Sequence, residues 1–424
     1  MNWYYGWTVI AVAIAFQAMI VGIVFYGFTM WVTPWMTEFG VGRGPLMIAN
    51  AGATLATGAL MLIAGWIMDR YPMRLLVIGG TLALALGLVL VSRATSVWQI
   101  IVLYTTLISL GFAFAATLAG QVLAARWFPD RVGLAVGIVL LGSSFGGMIM
   151  PPVIGWLMTH VGWRDTNLIL AALVVAVVVP LVWFVVRLPF EGEAQTSAQR
   201  RAKPTDPPAA PVQAVQHPLW SFGDIIREPT FWIVGIACLG TSLASYAFMQ
   251  NVGPYAHELG IGAESMSLLI PVLAVTGIAG KLVLGAMADR WDPRVPYWVA
   301  TGVIWAPLLL TLDDPSYWTL MVISGMVGLG AGGLLPVCSA IVGQKFGPRS
   351  FSRVMGMATP FFSVAAAAGP VISGFVRDHS SSYATAFGLY LVVLPAAALL
   401  MALLNRRPIA PSSGGGPLPE KLAA

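Results

Sequence analysis

The sequence predicts an all-α membrane protein with twelve transmembrane helices in two pseudo-symmetric six-helix bundles. Three observations predict it: composition, the length of the apolar runs, and an internal repeat. Of the 424 residues, 58% are hydrophobic and 9% charged, against about 25% charged in soluble domains. Runs of roughly 20 apolar residues, each able to cross about 30 Å of hydrocarbon as helix, recur from end to end. Lipid offers no partner to backbone amides, so such runs must be helical. A ten-residue pattern starting at Gly65 returns at Gly285.

Twelve runs are expected, at 6–33, 45–67, 75–92, 97–125, 132–158, 166–186, 229–256, 265–288, 295–312, 316–340, 354–376 and 383–404. The first lacks a basic n-region and is too long for a secretory h-region, so it is expected to be retained as a helix. Residues 1–189 form the first bundle in this reading and 229–405 the second. Between them, 190–228 is a polar, Pro-rich cytoplasmic linker with little capacity to build a core. The Gly- and Ser-rich end, 406–424, is expected to be a disordered cytoplasmic tail.

Basic residues set the orientation. Segments between runs alternate, and one side collects 17 Lys and Arg, among them Arg70, Arg74, Arg126, Arg131, Arg290 and Arg294. The other side carries four: Arg43, Arg93, Arg164 and Arg377. That bias predicts both termini in the cytoplasm, and the lack of an Asn-x-Ser/Thr sequon in the sequence fits a bacterial inner membrane. The net charge of +5 thus reports topology and lipid headgroups rather than a nucleic-acid partner. Cys238 and Cys338 lie far apart in sequence, so no disulfide framework is indicated. No Walker loop and no His, Cys or carboxylate cluster within the runs points to an enzyme, a metal or a cofactor. His160, His217, His257 and His379 fall at run ends or in the linker.

The repeat carries chemistry. Gly65, Asp69, Arg70 and Arg74 correspond to Gly285, Asp289, Arg290 and Arg294 at an offset of 220, after the second run of each half. Phe128 and Arg131 pair more weakly with Phe346 and Arg349. Duplicated six-span halves predict a transporter with its site between them near the midplane. Asp69 and Asp289 sit at helix C-termini, where the macrodipole disfavours an acid. Each therefore needs a cation or the N-terminus of another helix, a lock that can be made and broken; Arg126 and Arg131 are counted with the residues of these switch loops. The motif resembles the loop signature of the major facilitator superfamily, which implies a cytoplasmic gate that helps hold the outward-facing state.

A narrower resemblance lies at the fourth and fifth runs. Phe128-Pro129-Asp130-Arg131-Val132-Gly133-Leu134-Ala135-Val136-Gly137, leading into Gly142-Ser143-Ser144-Phe145-Gly146, resembles the signature of monocarboxylate transporters and their bacterial relatives. Asp130 replaces the usual basic residue, and Val139 and Leu140 replace small ones. Gly6-Trp7 is similar to that family's first-span motif without its leading acid.

Lys281 is the only Lys, Arg, Asp, Glu or His within the runs, set in Ile278-Ala279-Gly280-Lys281-Leu282-Val283-Leu284. A cation there costs roughly 2.5 to 3.5 kcal/mol unless it faces a water-filled cavity or an anion. Snorkelling is the competing reading, but Asp289 at the run's end is eight residues away, about 12 Å along a helix. In monocarboxylate and oxalate/formate transporters the eighth span carries an Arg, four residues before a Gly, that pairs with substrate carboxylate. Lys281 stands four residues before Gly285, so the resemblance implies a retained cation with a point charge in place of a fork. The acid that many animal members place four residues earlier is Gly277 here. Their first-span lysine has no counterpart between Phe25 and Pro34.

Two stripes of small and polar residues at four-residue spacing mark faces turned from lipid. One is Thr105, Ser109, Ala113, Thr117 and Gln121; the other is Cys238, Ser242, Tyr246 and Gln250. Thr117, Gln121 and Tyr246 are deep enough to converge on Lys281, with Gln17 and Asn50 as further substrate-binding candidates. Phe361 and Phe362 are candidates for an apolar wall. The expected function is secondary active transport of a small organic anion, most simply a monocarboxylate, by proton symport or exchange for a counter-anion. A dicarboxylate exchanger of oxalate/formate type, an exporter of neutral or amphipathic compounds, and a non-transporting sensor are the alternatives. The chain is expected to work as a monomer in the bilayer.

Overall fold

The computed structural model describes residues 4–187, 220–262, 266, 268–380 and 382–404. Among them the long helices are α1 (Tyr5–Phe39), α2 (Pro45–Ile67), α3 (Met73–Ser92), α4 (Val97–Trp127), α5 and α6 within Pro129–Val185, and α7 (Pro229–Glu258). There follow α8 (Leu269–Arg290), α9 (Arg294–Leu312), α10 (Tyr317–Phe346), α11 (Phe351–Ser380) and α12 (Tyr383–Ala402). The fifth and sixth runs emerge as one helical stretch of 57 residues. It is divided at Gly162, whose φ of 79° and ψ of 169° only glycine adopts freely. With that division there are twelve spans, as the sequence predicts.

Several helices outlast their apolar runs. α1 continues to Phe39 and α10 to Phe346, because helical hydrogen bonding extends through the headgroup region after the hydrocarbon ends. α1 widens to a π turn at Gly22–Tyr26. α4 does the same at Tyr104–Ile108 and breaks at Ala116 (φ −110°, ψ −123°). Such insertions rotate everything beyond them and recur at functional sites.

Within the first half, α1 packs on α5, and α3 on α4 and α6. Within the second, α7 packs on α11 and α12, and α10 on α8 and α9. The halves meet along two seams, α2 against α11 and α5 against α8. On the first, Gly58 lies beneath Ser363 and Gly65 beneath Ser352 and Gly356. On the second, Gly133 faces Gly285 and Gly137 faces Lys281. The Gly65 and Gly133 contacts lie at the end of the molecule that carries the duplicated loop motif, which they close.

The stretch expected to be a structureless linker has an ordered end. Trp220 is 2% exposed, packs edge-on against Phe346 with ring centroids 5.1 Å apart, and donates its backbone N–H to Ser350 Oγ (3.1 Å). Ser221 and Asp224 then form a capping box that starts the short helix Phe222–Arg227. One large aromatic supplied the buried area that the polar composition lacked. The remainder of the linker expectation, and the tail at 406–424, lie outside the described residues.

Candidate functional site

Lys281 lies half-buried on α8, on the α5 seam. A Cβ on Gly137 would come within 2.2 Å of the Lys281 carbonyl oxygen, so glycine there lets the two backbones touch. The lysine side chain crosses the seam. Its Nζ donates to Leu140 O (3.0 Å), Ser143 Oγ (3.0 Å) and Ser144 Oγ (2.7 Å). All three ammonium donors are therefore used, every acceptor is neutral, and no carboxylate partners Lys281 among the described residues.

Other predicted residues divide by depth. Gln17 on α1 is completely buried, with its Oε1 over Gly120 of α4 and its Cβ over Gly142 of α5. This is the level of the Lys281 contacts, but Gly142 and Ser144, two residues apart, lie on opposite sides of α5. Among the described residues both atoms of the amide lack hydrogen-bond partners. Gln121, 2% exposed, and half-buried Thr117 follow on α4 at the same level. Tyr246 is half-buried on α7. Asn50 corresponds in the repeat to position 270, eleven residues from Lys281, or about 16 Å along a helix. Phe361 packs inside the second half against Phe231 and Trp232, with centroids 5.9 and 6.0 Å away.

The α4 stripe is not one face. Ser109 donates to Tyr104 O (2.7 Å) and, across to α2, to Ala53 O (3.0 Å). The π turn and the break at Ala116 shift the register before Thr117, which four-residue spacing could not foresee. Cys238 and Cys338, remote in sequence, come together on α7 and α10 as buried free thiols.

The loop motif forms the closed end in two chemically different ways. Asp69, 3% exposed, pairs with Arg353 Nε (3.1 Å) and Arg126 Nη2 (3.3 Å) and accepts the Ser352 hydroxyl. It thus joins α2, α4 and α11. Burial pushes its carboxyl above the usual carboxylate range, opposed by the Ser352 bond and the two guanidiniums. Asp289 instead caps the N-terminus of α5, accepting the N–H groups of Gly133 and Leu134 at 2.7 Å each, where the helix dipole favours an anion. Both solutions foreseen for a C-terminal acid are used, one per half.

The asymmetry has a sequence cause. By the Phe128 and Phe346 correspondence, the counterpart of Arg126 is Gln344, which binds Ala288 O (3.0 Å). Asp289 therefore has no arginine on α10 to meet. Arg131 is exposed and acts on Asp289 through its charge. Arg70 stacks on Trp66 at 3.9 Å, Arg74 ties its loop to Val186 O, and Arg290 is exposed. Arg294 binds Asp292 (2.7 Å) and Leu404 O (3.2 Å). Ser143, Ser144, Ser352 and Arg353 were not among the predicted site residues. Their only sequence signal was position: the first two belong to the α5 signature, and the last two begin α11, the counterpart of α5.

Twelve apolar helices in two halves, meeting at a polar seam and closed by a paired loop motif, define a multi-pass membrane transporter. The chain belongs to the Major Facilitator Superfamily, whose family model matches residues 12–312 and 243–423. It is 24% identical over 395 residues to a mouse protein named monocarboxylate transporter 11, covering 90% of this chain and 83% of that one. To the oxalate:formate antiporter of Oxalobacter formigenes it is 23% identical over 389 residues, covering 90% and 86%. Among solved structures it superposes on the E. coli fucose:proton symporter with a TM-score of 0.71 at 12% identity, covering 94% of this chain and 100% of the other.

Proposed function

We propose that the protein is an alternating-access carrier of a small organic anion, most simply a monocarboxylate of lactate or pyruvate type, working by proton symport or anion exchange. One observation carries this reading: a lone ammonium at the seam between the halves, held by three neutral oxygens and no acid. A carboxylate entering from the open side offers that ammonium a charged acceptor, which forms stronger hydrogen bonds than a neutral one. Lys281 then leaves Leu140, Ser143 and Ser144, and the α5 to α8 seam loosens. The Asp69 and Asp289 locks, on the cytoplasmic side in this orientation, must break in the same transition.

Thr117 and Gln121 on the first half and Tyr246 on the second are the contacts proposed for the rest of the substrate. Gln17 supports α1 from within the bundle. The printed names of the two relatives, a monocarboxylate transporter and an oxalate:formate antiporter, agree with an organic anion. A dicarboxylate would call for a second cation, and Lys281 is the only one within the apolar runs. The same three bonds bear on the return of the empty carrier. Lys281 is latched to α5 rather than bare, so reorientation without substrate must break three hydrogen bonds, which favours exchange.

Counterflow into liposomes containing purified protein tests this with labelled lactate, pyruvate, an aromatic acid and oxalate. At about 4 Å and an effective dielectric near 20, ammonium and carboxylate attract by about 4 kcal/mol. Giving up three bonds to α5 returns roughly half of that. Lys281→Gln should therefore weaken apparent affinity about 30-fold while the protein still folds. Transport of no acid by the wild type, or equal transport by the variant, would move the search to neutral and amphipathic compounds.

A further inference from the structure

Each half receives its chain through an aromatic wedge. Tyr4, immediately before α1, packs edge-on against Phe128 with ring centroids 5.3 Å apart, and its hydroxyl donates to Trp127 O (2.7 Å). Trp220, ahead of α7, packs edge-on against Phe346 at 5.1 Å. Phe128 and Phe346 are the repeat pair at the ends of α4 and α10. Each wedge thus fastens the chain entering a half to the fourth helix of that half.

The second wedge also reaches a lock. While the Trp220 backbone N–H sits on Ser350 Oγ (3.1 Å), its carbonyl accepts from Arg353 Nη1. The same guanidinium donates through Nε to Asp69 (3.1 Å). A guanidinium is planar and rigid, so fixing Nη1 on one acceptor fixes where Nε points. The carbonyl is itself held in place. The ring behind it is buried, Ile225 in the next turn is fully buried, and Ile226 O accepts from Trp232 Nε1 of α7 (2.8 Å). By the Phe128 and Phe346 correspondence, Arg353 stands where the first half has Ala135. At the head of α5 Asp289 binds backbone N–H groups, whose direction the helix sets. At the head of α11 Asp69 binds a long side chain, which gives up rotamer freedom to meet it unless something else holds that chain.

We infer that the segment Trp220–Arg227 is a strap that positions Arg353 on Asp69, with Trp220 as its anchor. It acts through Arg353 and is independent of what the carrier transports. The connection between the halves therefore ends on the lock that keeps them together. Undocking Trp220 returns its freedom to Arg353 and shifts this end of the molecule toward open.

Maleimide labelling of Met61→Cys tests this in a Cys238→Ala/Cys338→Ala background. Met61 is buried on α2 with its carbonyl against Gly356 of α11. Trp220→Ala should speed modification about 3- to 10-fold, and Ser350→Ala, which keeps the ring, about 2- to 5-fold. In an Asp69→Asn background each should change the rate by less than about 1.5-fold, because the arginine then has no carboxylate to be held on. Trp220→Phe keeps an edge-on ring and should label as slowly as wild type. Equal acceleration with and without Asp69 would make the strap a packing element only, and no acceleration in either would overturn it outright. If Trp220→Ala does not fold, Ser350→Ala carries the same comparison. Should Asp69→Asn itself leave labelling unchanged, lock and strap fall together; should it accelerate while the strap variants do not, the strap alone falls. No substrate enters these measurements, so the anion reading stands or falls separately in counterflow.

Discussion

Asp69→Asn should open the closed end of the molecule, and the structure sets the size of the effect. The carboxylate accepts from Ser352 and Arg353 on α11 and from Arg126 on α4, so one side chain joins three helices across both halves. Removing one partner of a buried pair costs about 3 to 5 kcal/mol when the other charge stays buried. Arg126 is that case, since its Nε is already buried without a partner. Against this, the carboxyl is held above its usual range by burial, so losing the anion recovers part of its desolvation cost. Asparagine also keeps an acceptor for Ser352. The net shift is about 1 to 2 kcal/mol, or roughly 5- to 30-fold in the ratio of closed to open. Maleimide labelling of a cysteine placed at Met61, which is buried and whose carbonyl lies against Gly356 at the α2 to α11 contact, would report it as faster modification. Adding Arg126→Gln should reverse part of the change, because the second half manages with Gln344 at that position. Labelling of Asp69→Asn no faster than wild type, or no coupling to Arg126→Gln, would refute the argument.

Three further expectations follow from the seam and the bundle interior. Ser144→Ala removes the shortest of the Lys281 bonds, so if an anion competes with that latch the variant should bind substrate about 2- to 10-fold more tightly; weaker binding in counterflow would show that Ser144 touches substrate instead. Gly137→Ala forces a methyl to 2.2 Å from the Lys281 carbonyl, and overpacking of this kind costs about 1 to 3 kcal/mol or more; it should part α5 from α8, seen as a lower melting temperature and faster labelling. Gln17→Leu replaces a buried amide with both atoms unpartnered, so it should leave stability unchanged or raise it by about 1 to 3 kcal/mol; a lower melting temperature would show that the amide has a partner in solution.

Much of the protein was legible in the chain itself. Twelve spans, two repeated halves and the lone Lys281 follow from apolar length, an offset of 220 and one charge, because a bilayer leaves a backbone few ways to cross it. The need of Asp69 and Asp289 for a cation or a helix N-terminus was equally readable, since the macrodipole is a local property. Which acid takes which partner was not. That choice depended on Arg126 having Gln344 as its counterpart, and on Ser352, Arg353 and the start of α5 arriving from distant parts of the chain. Likewise the stripe ending in Thr117 and Gln121 assumed an unbroken α-helical register, and the π turn of α4 and its break at Ala116 ended it. Sequence thus determined what each helix must be and which charges needed partners. Only the tertiary structure decided that Leu140, Ser143 and Ser144 are the partners of Lys281, because helices that touch through glycines bring together atoms that no spacing along one chain can relate.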